Sequence, residues 1–241
     1  LSKASILPFK QGISWKAEQM EMAFYDMQAS NISAYSNMNI RLILFDLGGV
    51  LYNIEHARTQ SALNTLQSVN ARPISFSLEQ AEAIFGEFDA GRLNTSEFIS
   101  RLGEEYSIQA TDEQIINAWN AMLLGLYPDT IQFIHEISQY LPIALLSNIN
   151  EIHHDHVREE CKPLFEYFGH VFLSYTLNLK KPDPEMFHHV ISETGYATDE
   201  ILFLDDTPVN CRIAQSLGIN AKLINPLSRD WLSEIKNLIA N

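Results

Sequence analysis

The chain has 241 residues, 46% of them apolar, and carries 16 Lys and Arg against 30 Asp and Glu, a formal charge of −14. That length suits one large domain, or a core with a smaller partner, and the apolar share is enough for a sizeable core. A surface this acidic repels nucleic acid and anionic membranes and excludes both as partners, but it tolerates a small anionic substrate whose pocket supplies its own cation.

Cys161 and Cys211 are too few for a disulfide framework and fit a reducing cytosol. No apolar run approaches the length of a membrane span. The expectation is a cytoplasmic protein, a monomer or weak homodimer, with a small phosphorylated metabolite as its partner.

Residues 1–37 read differently from the rest. The stretch begins at Leu1 and has no charged segment feeding an apolar one, so it is not a secretory signal. Met38 directly precedes the first strand and is the expected natural start, with the upstream stretch an appendage or an over-long reading of the gene. The alternative is an amphipathic helix over Trp15–Ala29 that docks on the core.

Arg41–Phe45 opens the regular pattern as a strand covered on both faces. Residues 56–125 then contain no strand-like run and read as four helices, near Ala57–Val69, Leu78–Phe88, Thr95–Tyr106 and Asp112–Leu124. Three of them have capping-box starts: Ser77 with Gln80, Asn94 with Glu97, and Thr111 with Gln114. Strands return at Pro142–Leu146, His170–Leu173, Ile201–Leu204 and Ala221–Ile224. The helical patterns Thr130–Gln139, Glu151–Cys161, Glu185–Thr194 and Val209–Leu217 fall before, between and among them, and Gly195 and Gly218 stop two of these. Strand and helix alternating at this spacing predict an α/β fold: a Rossmann-like parallel sheet with right-handed crossovers. The core comprises 38–55 and 126–241, and the helical block 56–125 caps the sheet's carboxyl edge.

Ligands of open α/β sheets bind beyond the carboxyl ends of the strands. Asp46, Gly48 and Gly49 follow the first strand, Ser147 and Asn148 the second, Lys180 and Lys181 the third, and Asp205 and Asp206 the fourth. A nucleophilic carboxylate, a hydroxyl, a lysine and an acidic pair on one rim suit phosphoryl transfer with a divalent cation. A carboxylate can attack phosphorus, Mg²⁺ and an ammonium offset the phosphate's charge, and glycines admit close backbone approach.

The segments FDLGGVL, LLSNINEIH, KKPDPEMF and FLDDTPVN, in this order, resemble the haloacid dehalogenase superfamily, and the likeness spans Ile40–Ile224. The pattern is most similar to the branch of sugar-1-phosphate phosphatases and epoxide-hydrolase phosphatase domains, with a small C1-type helical cap. The resemblance implies that Asp46 is the nucleophile and, with the Gly48 carbonyl and Asp206, a Mg²⁺ ligand. It implies that Ser147 bonds the phosphoryl group with Asn148 beside it, that Gly49 lines the substrate site, and that Asp205 orients Lys181 or a metal-bound water. Lys181, directly before Pro182, matches the superfamily lysine better than Lys180.

Most phosphatases of that superfamily carry a second aspartate where this chain has Gly48, and general acid–base help of that kind is worth roughly 10²–10⁴-fold. Three readings follow: a phosphatase that favours good leaving groups such as an anomeric oxygen, a metal-independent 2-haloacid dehalogenase, or a non-catalytic binder of a phosphorylated ligand or protein. Members of the resembling branch often carry glycine here, which supports the first reading. The adjacent pair Asp205–Asp206 argues against the second. Glu55 or His56 could take over proton transfer, although Glu55 also reads as a solvated residue at a loop–helix boundary.

The run His153–His156 reads as structural or as a pocket rim, with His153 the member that could reach a substrate. Residues 88–98 form a turn at Gly91 and a cap at Asn94, or else aim Asp89 or Arg92 at the site. Trp119 reads as packing within the cap. Cys211 reads as packing too, since nearby carboxylates raise a thiol's pKa.

Overall fold

The computed structural model describes residues 39–74 and 84–239. The expected start at Met38, the helix at Trp15–Ala29 and the capping box at Ser77 lie outside them.

The main sheet has five parallel strands. They are β1 (Leu42–Phe45), β4 (Ile143–Ser147), β5 (His170–Leu173), β6 (Ile201–Asp205) and β7 (Asn220–Leu223), in the order β5-β4-β1-β6-β7. Side chains alternate across a strand, so β1 feeds two cores. Ile43 and Phe45 pack with α5 (Thr130–Ser138), α6 (Glu151–Phe165) and α10 (Asp230–Ile239) on one face. Leu42 and Leu44 pack with α8 (Pro184–Thr194) and α9 (Pro208–Ser216) on the other. Burial on both faces is why these strands read as unbroken apolar runs.

Between β1 and α5 lie β2 (Tyr52–Ile54), α1 (His56–Thr65), α2 (Ile84–Asp89), α3 (Thr95–Tyr106), α4 (Asp112–Asn120) and β3 (Leu123–Leu126). The helices gather their own apolar cluster around Phe88, Phe98, Leu102 and Trp119. The capping boxes at Asn94 and Thr111 both form, each closing an exposed set of helix N–H groups. One expectation fails here. Residues 56–125 are not strand-free, because α4 stops at Asn120 and Leu123–Leu126 pairs antiparallel with Tyr52–Ile54. Glu160 on α6 holds this ribbon to the core, accepting from the Tyr52 hydroxyl at 2.8 Å and from the Leu126 N–H at 3.0 Å.

A short helix, α7 (Ser174–Leu177), follows β5. Among the described residues, no helix is long and apolar enough to cross a membrane.

Candidate active site

Sheet register decides what meets at the carboxyl rim. Phe45 lies opposite Leu204 in the β1–β6 pair, and the Asp46 N–H continues that ladder to the Leu204 carbonyl at 2.9 Å. Asp46 therefore comes level with Asp205. Ser147 closes β4 on the other side of β1, where strand order reverses and open α/β sheets form their crevice.

Lys181 reaches this point from the segment after α7. Its Nζ lies 2.6 Å from Asp205 Oδ2 and 2.9 Å from Asp46 Oδ1, with all three side chains buried or nearly so. The ammonium also stands 5.4 Å from the centre of the Phe203 ring. Burial pushes the lysine's pKa down, but the Asp205 and Asp46 carboxylates more than reverse this and hold it above the usual lysine range. Lys180, by contrast, is half-exposed.

Asp205 is fully engaged. Its oxygens accept from Lys181 Nζ, from the Thr207 N–H at 2.7 Å and from Asn210 Nδ2 at 3.0 and 3.1 Å. Asp46 keeps one oxygen clear: Oδ1 takes the Leu47 N–H at 2.7 Å and Lys181, while no described residue donates to Oδ2. Asp206 is half-buried, with the Thr207 hydroxyl 3.3 Å from its Oδ1.

Asp46, Asp205 and Asp206 each offer a carboxylate oxygen within 4.8 Å of the others. The pKa of Asp46 is driven up by burial and by Asp205 and Asp206, against the pull of Lys181, and that of Asp206 rises by burial and Asp205. Three carboxylates share one ammonium, a deficit of positive charge that suits a hard divalent cation. With Asp205 saturated, Asp46 and Asp206 are the carboxylates free to hold it.

Gly49 is forced by this crowding. Its φ is +73°, and a Cβ there would stand 2.1 Å from Asp206 Oδ2. Its N–H donates to the Tyr52 carbonyl at 2.8 Å. At Gly48 a Cβ would meet Ile54 Cδ1 at 3.1 Å, so the ribbon's side chain fills the space where a second carboxylate would begin. Asn148 grips the lysine's backbone at both ends: Nδ2 donates to the Lys181 carbonyl and Oδ1 accepts its N–H, both at 2.8 Å.

A cavity of about 480 Å³ runs from this rim to the inserted helices. Gly48, Ser147 and Thr207 line its core end, and Phe85, Asp89 and Trp119 its far end. Asp89 thus faces the cavity, while Arg92 pairs with Glu87 at the surface. Glu55 likewise pairs with Arg58 at the surface, whereas His56 lines the cavity. Trp119 packs inside the helical cluster, as read from the sequence, and also borders the cavity. Its Nε1–H donates to Asn150 Oδ1 at 3.3 Å. His153 is buried between Trp119 O, 3.1 Å from its Nε2, and Asn150 Nδ2, 3.1 Å from its Nδ1. Burial pushes its pKa down to about 4. Cys211 is buried, and burial followed by Asp205 drives its thiol's pKa up.

Thr207, Asn210, Asn150 and Ser174 escaped the sequence reading as individual site residues. Asn210 had a usable signal, an amide in the first turn of the helix that follows the acidic pair.

A family model described as haloacid dehalogenase-like hydrolase matches residues 40–218. The chain belongs to that family. As a haloacid dehalogenase-like hydrolase it is similar to the D-ribitol-5-phosphate phosphatase of Bacteroides thetaiotaomicron, 29% identical over 202 residues that cover 81% of this chain and 97% of that protein. A solved family enzyme from the same organism superposes with a TM-score of 0.71 at 28% identity, covering 79% of this chain and 96% of that one. Its wild-type complex with magnesium and inorganic phosphate gives a TM-score of 0.66 at 30% identity, covering 76% and 93%.

Proposed function

We propose that this hydrolase removes phosphate from a small phosphorylated metabolite, a polyol or sugar phosphate, with Mg²⁺ and through an aspartyl-phosphate on Asp46. The observation that carries this reading is Asp46 itself. Its Oδ1 is fixed by Lys181 and its Oδ2 is clear, beside a cavity that the next two residues, Leu47 and Gly48, line. The kinship with a ribitol-phosphate phosphatase, and a relative that binds magnesium and phosphate, support the substrate class and the metal.

Asp46 and Asp206 would hold Mg²⁺ together with the Gly48 carbonyl. Bound there, the ion would offset the phosphate's charge and polarise its oxygens. Asp46 Oδ2 attacks phosphorus, the ester P–O bond breaks, and the leaving alkoxide takes a proton from solvent water. Water then attacks the phosphorus of the acyl-phosphate, releasing inorganic phosphate and restoring the carboxylate. The Lys181 ammonium balances the charge building on the phosphoryl oxygens, and the Ser147 hydroxyl donates to one of them. Asp205 keeps the lysine in place.

The test is phosphate release from a panel of sugar and polyol phosphates, with Mg²⁺ and with EDTA, for the wild type and for Asp46→Asn. Metal-dependent release that disappears in the variant is expected. Release retained by Asp46→Asn, or halide release from 2-haloacids in place of phosphate release, would overturn the reading.

A further inference from the structure

The core end of the cavity, lined by Gly48 and Ser147, adjoins the buried Lys181 and the carboxylates read above as holding a cation. Toward the inserted helices the wall carries the Asp89 carboxylate, with Phe85 and Trp119 also lining the cavity. Oδ1 of Asp89 accepts from Asn150 Nδ2 at 2.9 Å, and no described residue donates to Oδ2. Asn150 is itself buried and used up by Trp119, His153 and Asp89. The end of α2 that carries Asp89 is pinned as well, the Asp89 carbonyl 2.5 Å from the Ser174 hydroxyl. This carboxylate is therefore held in one place, in apolar surroundings, with one neutral donor.

A carboxylate so placed is poorly solvated and calls for further donors. Burial raises its pKa, while the Asn150 amide and the Lys180 charge work the other way. The neighbouring side chains are aromatic and stack on one another. Phe85 stacks on Trp119 with centroids 5.3 Å apart, and Trp119 stacks on His153 at 5.0 Å. Apolar walls around a few placed polar groups are how small-molecule pockets set orientation and specificity.

We propose that Asp89 is the specificity-determining residue of this site, accepting a hydrogen bond from a hydroxyl at the end of the substrate remote from phosphorus, in the stretch of cavity that Phe85 and Trp119 border. The substrate class is then a phosphorylated polyhydroxy chain, as opposed to an alkyl or aryl phosphate. The same carboxylate repels the phosphoryl group and so prevents reversed binding. This inference rests on the phosphatase reading above.

The experiment compares the full-length wild type with Asp89→Asn, which keeps the size of the side chain and an acceptor for Asn150. The substrates are a pentitol 5-phosphate, n-pentyl phosphate and para-nitrophenyl phosphate. The variant is expected to lose about 10–100-fold in kcat/KM on the pentitol phosphate, mostly through KM, and less than about threefold on the two substrates without hydroxyls. An equal loss on all three would assign Asp89 a structural role and overturn the proposal, as would no loss on any. If the wild type releases phosphate from none of them, the phosphatase reading falls, and this one with it.

Discussion

Lys181 Nζ lies between two carboxylates, 2.6 Å from Asp205 and 2.9 Å from Asp46, with almost no contact with solvent. Removing the ammonium leaves two negative charges buried side by side. Lys181→Met should therefore destabilise the metal-free protein by roughly 3–5 kcal/mol, the range for breaking a buried ion pair. Mg²⁺ should recover part of that loss by replacing the missing charge. Denaturant unfolding with EDTA and with Mg²⁺ measures both quantities, and a variant as stable as the wild type in EDTA would contradict the ion-pair account.

The second prediction concerns Gly49. An alanine there meets Asp206 Oδ2 at 2.1 Å and must hold a φ of +73°, so the carboxylate has to move. Gly49→Ala should weaken Mg²⁺ binding at least about tenfold and cost about 1–3 kcal/mol of stability. Calorimetric titration of Mg²⁺ into the single variants Gly49→Ala and Asp206→Asn and the double variant provides the check. Because the two changes act on one carboxylate, their effects on affinity should fall well short of additive.

Position 48 offers no proton to the leaving group, so turnover should depend steeply on the leaving alcohol's acidity. Gly48→Asp should flatten that dependence and favour the least acidic alcohols most, by up to about 10²-fold. The new Cβ presses only on the tip of Ile54, a side chain that can turn aside, and Ile54→Val gives it more room. Plotting log kcat/KM against leaving-group pKa for both proteins decides the matter: parallel lines would mean that another group already delivers the proton.

His153 supplies a stability signature. Its folded-state pKa is depressed from 6.5 to about 4 by burial, with His56 and His156 adding to the push and the Trp119 carbonyl opposing it. Below pH 6.5 the unfolded chain takes up a proton that the folded chain refuses. This contribution to stability is thus intact above the unfolded pKa and declines by up to about 1.4 kcal/mol per pH unit on acidification toward the folded value. His153→Gln should remove that part of the slope. Urea unfolding between pH 4.5 and 7.5 tests it, and identical slopes in the two proteins would refute it.

The residues gathered at the rim were legible because they follow strands buried on both faces, where an aspartate, a serine or an acidic pair interrupts an otherwise apolar run. Lys181 was legible through its neighbour Pro182. The ribbon was not: LLGL extends the apolar spacing of α4, and only its pairing with the three residues Tyr52–Ile54 makes it a strand. Asp89 was half legible, since FDAGR announces a turn but not which way the turn faces. The Asn150 network was illegible for a related reason. Its partners Asp89, Trp119 and His153 come from different elements, and no local spacing records their meeting.

The amide of Asn148 imitates a peptide group. It gives and takes one hydrogen bond with the Lys181 backbone, as a neighbouring strand would. The loop bearing the site's buried cation is thereby aligned to the end of β4, as a machined part is set against a reference face. The accuracy with which that charge meets an incoming anion is inherited from the stiffness of the sheet. Loosening the loop elsewhere would leave the lysine in place, whereas a small displacement of β4 would carry the lysine with it.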